Sequence, residues 1–92
     1  MNIEELKAKI KIAQEQRAKE ADKQSRIFKL QIRIRNLKSN LCATDYKAIK
    51  YAEGELSAEE FAETREQRRA WRAEINALEE EIKAIKEGAN EN

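Results

Sequence analysis

Four arginines, Arg65, Arg68, Arg69 and Arg72, recur at i, i+3, i+4 and i+7, a spacing that lines them along one side of a helix. A basic helical stripe is the electrostatic footprint of phosphate binding. A second run, 26–35, interleaves Arg26, Lys29, Arg33 and Arg35 with Ile27, Phe28, Leu30, Ile32 and Ile34. Nucleic-acid binding is therefore one reading, carried by a basic face of Arg33, Arg35, Arg65, Arg69 and Arg72. Against it stands a net charge of only +1. Arg68 falls on an apolar seam, where it can pair with a carboxylate or stack on an aromatic ring.

Little else in the chain could do chemistry. Histidine is absent, which removes imidazole-based triads and the commonest metal ligand. Two isolated glycines cannot form a phosphate-cradling loop. Cys42, the one cysteine, has no partner for an internal disulfide and no histidine to activate it. Glu79, Glu80 and Glu81 read as a solvated helix surface, and Asp45 beside Tyr46 as a helix end or a surface hydrogen bond. No catalytic, cofactor-binding or metal-binding residue is expected, and an enzyme is not expected.

The elements that would position any site are helices. Charged residues make up 40% of the 92 positions, aromatics 5%, and proline is absent. That balance, rich in Ala, Glu, Lys, Ile, Leu and Arg, belongs to coiled coils and long helices. No apolar run is long enough for a membrane span or a signal peptide. The expected location is the cytosol, or a particle assembled there.

Strong turn chemistry occurs once, at 53–57. Gly54 suits the left-handed position that closes a helix. Ser57 followed by Glu60 forms a capping box, and Glu59 and Glu60 place negative charge at the positive end of the next helix. That helix carries Phe61, Thr64, Arg68, Trp71, Ile75, Leu78, Ile82 and Ile85 at alternating spacings of three and four, the seam of a coiled coil. It should fray near Gly88. The first helix carries Ile27, Leu30, Ile34, Leu37 and Leu41 in a matching seam. Asn40, Thr44 and Asp45 are weak helix formers, and Thr44 or Asp45 could cap a new short helix. The chain either breaks near Cys42 or continues to Glu53.

Register favours continuity. An antiparallel hairpin turning at Gly54 sets Leu41 against Arg68, Leu37 near Trp71, Ile34 against Ile75, Leu30 near Leu78 and Ile27 against Ile82. Phe61 then faces small Ala48. A break at Cys42 would oppose Ile75, Leu78 and Ile82 with polar residues and gain little burial. Charge agrees: 23–50 holds eight bases and one acid, +7, and 73–92 holds six acids and two lysines, −4. The same register sets Arg35 near Glu74 and Lys29 near Glu80.

From Gln14 to Arg26 no apolar residue exceeds alanine in size. In the favoured register the second helix runs out there, so 1–22 becomes a projecting helical arm, 23–88 a hairpin with its turn at 54–57, and 89–92 a disordered tail. Ile3, Leu6, Ile10, Ile12 and Ala13 lie near the arm tip, where a lone helix cannot bury them. Phe28 and Ile32 sit about 160° from the seam at about 100° per residue. Ile3, Leu6, Ile10, Ile12, Phe28 and Ile32 are the candidate partner contacts. The hairpin core is Ile27, Leu30, Ile34, Leu37, Leu41, Phe61, Trp71, Ile75, Leu78 and Ile82.

Thr44-Asp45-Tyr46-Lys47-Ala48-Ile49-Lys50, with Glu53 and later Arg68, Trp71-Arg72, Ile75-Asn76 and Leu78-Glu79, resembles a recurrent module. It is similar to one found in small helical proteins of tailed bacteriophages and prophages. The resemblance covers about residues 41–79 and leaves the arm outside. Its variable length around Gly54 implies a surface turn. It carries no chemistry with it. The expectation is an all-α antiparallel helical hairpin with a projecting N-terminal helix, oligomeric. Its role would be structural or adaptor, acting through helix–helix association with itself or another protein, in the virion or tail region of a phage. A phage-encoded binder that inhibits a host enzyme or defence complex is the alternative, and nucleic-acid binding the third reading.

Overall fold

Residues 2–88 are described by the computed structural model. The chain forms two helices, α1 over Ile3–Ala52 and α2 over Ala58–Lys86. They pair antiparallel in an elongated body of 78 × 21 × 15 Å. Fifty residues of α1 at about 1.5 Å each account for nearly all of that length.

Helix α1 runs through 42–45 without a break. The Thr44 hydroxyl donates to the carbonyls of Asn40 and Leu41, at 3.1 and 3.0 Å. Its polar atom is satisfied inside the helix, so it does not act as a cap there. Asp45, the other candidate cap, turns across to α2 instead. The arrangement with a break at Cys42 is thereby excluded.

Local bonding closes the helix where the turn residues are. Gly54 has φ 82°, its N–H reaches Tyr51 O at 3.0 Å, and Glu55 N reaches Lys50 O at 2.7 Å. These two bonds are a Schellman motif, which uses carbonyls that a helix end leaves without partners. Ser57 then starts α2: Glu60 N–H donates to its Oγ at 3.0 Å, and Ser57 N–H donates to Glu60 Oε1 at 2.8 Å. These bonds hold the Glu60 carboxyl below its usual range, the Ser57 backbone bond contributing most. At the far end α1 is capped by Asn2, whose Oδ1 accepts from Glu5 N at 2.8 Å, a cap that sequence reading passed over.

The core is one stripe between the helices. Ile27, Ile34, Leu37, Ile75, Ile82 and Ile85 are buried, with Leu30, Leu41, Trp71 and Leu78 packed against them. Each such aliphatic side chain contributes roughly 1.5–3 kcal/mol when fully buried. Ile85 extends the core one turn beyond Ile82, the last residue expected in it. Phe61 is buried apart from this group and stacks on Tyr51 with ring centroids 4.7 Å apart. Ala48, the expected neighbour of Phe61, borders the same concavity as its ring, and Tyr51 stacks on that ring as well, because an aromatic one turn further along α1 still reaches it near the tight turn.

One cross-helix ion pair corrects an expectation. Glu74 is held by Arg33, not Arg35, in a bidentate pair at 2.8 and 3.1 Å. At about 100° per residue Arg33 lies about 80° from the seam, on the flank within reach of α2, while Arg35 lies about 120° away on the outer side. The hydrogen bond from Arg33 holds the Glu74 carboxyl down, and Glu74 in turn raises Arg33.

Candidate interaction site

Everything from Asn2 to Asp22 is exposed, and partial burial begins at Lys23. Helix α2 ends at Lys86, so nothing of α2 lies beside the arm. The stretch 14–26, poor in apolar residues, therefore straddles the point where α1 leaves its partner. The tail at 89–92 lies outside the described residues.

The exposed apolar residues of α1 lie mainly on one line. Ile3, Leu6, Ile10, Phe28 and Tyr46 are 68, 49, 48, 58 and 70% exposed. At about 100° per residue all five fall within about 40° of a common line along the helix. Half-buried Ile32 falls within the same sector, and Ile49, 55% exposed, lies at its edge. The line runs opposite the seam that packs on α2. Sequence reading singled out the arm tip and the Phe28/Ile32 patch separately. Helical geometry joins them, adds Tyr46 and Ile49, and removes Ile12, which is 54% exposed but points to the α2 side.

Between these larger residues the line carries small ones: Ala13, Ala21, Ser39 and the exposed Cys42. Arg17, Arg35 and, at its edge, Lys50 are its charged members. Such a surface can receive another helix.

The five arginines grouped as one basic face occupy three surfaces. Arg33 is tied to Glu74, and Arg35 lies on the outer line. Arg65, Arg69 and Arg72 border an open concavity of about 300 Å³ together with Arg68, Ala48 and Phe61. Arg65 sits over the Tyr51 and Phe61 rings, 4.9 and 5.7 Å from their centroids. Arg69 has a 3.5 Å contact with Glu66. Arg68 is 8% exposed and held by three acceptors: Nη1 donates to Leu41 O at 2.8 Å and to Thr44 Oγ1 at 2.6 Å, and Nη2 to Asp45 Oδ1 at 2.9 Å.

Among the described residues no group of three His, Cys, Asp or Glu could hold a metal ion, and no helix is long and apolar enough to cross a membrane. Comparison with protein-family models, curated proteins and solved structures finds no match.

Proposed function

We propose that the chain is a non-enzymatic structural or adaptor protein that presents the outer face of α1 to another helix. The observation that carries this reading is the exposed apolar line from Ile3 to Tyr46. An isolated helix of the arm's length is marginal in water, and its apolar residues stabilise it only when covered. Exposed apolar surface of this extent marks an interaction site in soluble proteins. The resemblance of 41–79 to modules of tailed phages suggests a virion or tail assembly as the setting. The alternative, an inhibitory binder of a host enzyme or defence complex, would act through the basic face instead.

Photo-crosslinking in cells tests the reading. A crosslinking residue replacing Ile10 should give protein adducts, and one replacing Lys19, on the opposite side of the arm, should give none. No adduct at position 10 contradicts it.

The arginine concavity favours nucleic acid as the second reading. Retention on single- or double-stranded DNA or RNA that falls steeply with salt and is lost in Arg69→Glu/Arg72→Glu would support it. No retention at low salt removes it.

A further inference from the structure

Ile10 and Tyr46 lie on the outer line of α1 at equal distances, eighteen residues, on either side of Phe28. We infer that the occupant of this line is a second copy of this chain, laid antiparallel, so that the two α1 helices overlap along their whole length. This rests on the helix-partner reading above and names the partner.

The midpoint of Ile3–Ala52 falls between residues 27 and 28. Phe28, 58% exposed, lies beside it on the outer line. A two-fold axis at Phe28 brings the two Phe28 rings together. Ile10 then meets Tyr46, and Leu6 comes beside Ile49, so these four exposed apolar residues are covered at once, while Ile3 lies at the far edge, opposite the end of α1. The polar residues fit the same register. Arg17 lies against Ser39 and Arg35 against Ala21, so each long side chain crosses a small one and can carry its charge out to water. Ala13 lies against Cys42. A shift by one helical turn sets Phe28 against Gln24 in one direction; in the other Phe28 meets Ile32, but Ile10 then meets Lys50 and Tyr46 meets Gln14, whereas the register at Phe28 leaves Ile32 against Gln24.

Area and charge agree. A band about 75 Å long and about 10 Å wide amounts to about 750 Å² per partner, close to the roughly 800 Å² of a standard interface. Residues 2–22 hold five acids and five bases, and 23–50 carries +7. Antiparallel pairing about Phe28 lays the neutral arm over 34–54, which carries +2, and leaves only 23–33, +4, facing its own copy, whereas parallel pairing in register lays all +7 on +7. Because α2 packs on the opposite side of α1, it does not obstruct the approach. The ends do carry a cost: Lys7 and Lys11 come on the same side as Lys50 and Lys47.

Disulfide trapping in the full chain tests the pairing. Ala13→Cys, at an exposed arm position, should link through native Cys42 into covalent dimers under mild oxidation, with unchanged helical content. The unsubstituted chain, and Ala13→Cys/Cys42→Ala, should not link. Linking through Cys42 alone or through position 13 alone would show parallel pairing and overturn the proposal. A concentration-independent monomer in sedimentation equilibrium would overturn it as well. If crosslinks at position 10 to another protein persist in that case, self-pairing fails while the helix-partner reading stands. If they are absent, both fail.

Discussion

Arg68 on α2 donates from Nη2 to the Asp45 carboxylate on α1 at 2.9 Å, while its Nη1 takes up Leu41 O and Thr44 Oγ1. A charged residue thus occupies a seam position that an aliphatic residue would fill in a uniform coiled coil. Its partners sit on one turn of α1, so a slip of one turn in either direction would strand the guanidinium. The contact stabilises one register of the hairpin against its neighbours, the best-attested use of a polar group at a helix seam.

Arg68→Ala should therefore lower hairpin stability by on the order of 2 kcal/mol, through lost hydrogen bonds and a lost aliphatic stem. Arg68→Met should recover part of this and broaden the register instead. Chemical denaturation reads the first effect. Line broadening of the Trp71 indole NMR signal reads the second.

The turn should respond to a single methyl group. A Cβ at Gly54 meets nothing within 4 Å, so Gly54→Ala has space, but φ is +82°. The cost is the left-handed backbone itself, about 1–2 kcal/mol, and the measured loss in thermal unfolding should fall there. Ser57→Ala removes one side of the capping box and should cost about 1 kcal/mol.

Acid should loosen the hairpin at two points. Glu60 and Glu74 both have folded pKa values below the ordinary 4.5, held there by Ser57 and Arg33 respectively. A depressed carboxyl contributes stability that is present above its unfolded pKa and lost as pH falls through the folded one. The midpoint of thermal unfolding should therefore be flat above pH 6 and fall below about pH 4.5. Glu74→Gln should flatten part of that fall.

Salt should separate the two readings of function. Nucleic-acid binding through Arg65, Arg69 and Arg72 would weaken as salt rises. Self-association through α1 should tighten, because added salt screens the lysines that meet at its two ends. Sedimentation equilibrium between low and moderate salt gives the sign.

Much of this fold was legible because its signals are local or periodic. Gly54 and Ser57–Glu60 each carry their own turn chemistry, and the spacing of Ile27 to Leu41 and Phe61 to Ile85 marks two matching faces. The single turn then fixed which residues meet. What spacing of three and four could not give was the flank: Arg33 and Arg35 are equally basic and equally near in number, yet only one points toward Glu74. Thr44 misled for a related reason, since its hydroxyl satisfies itself inside the helix as readily as at a cap. The candidate site was half legible. Ile3, Leu6, Ile10, Phe28 and Ile32 stood out as apolar residues without a home, but they formed one line with Tyr46 and Ile49 only once α1 was continuous through 42–45.

A distance between the native cysteines of two copies tests the account most directly. Cys42 is the one cysteine, it is exposed, and a spin label there needs no substitution. In the antiparallel dimer each Cys42 lies fourteen residues from the axis at Phe28, which places the pair about 42 Å apart at about 1.5 Å per residue. A dipolar distance near 40 Å is the expected result. A distance under about 20 Å, which parallel helices in register would give, or the absence of any dipolar coupling at concentrations where the chain should associate, would contradict it.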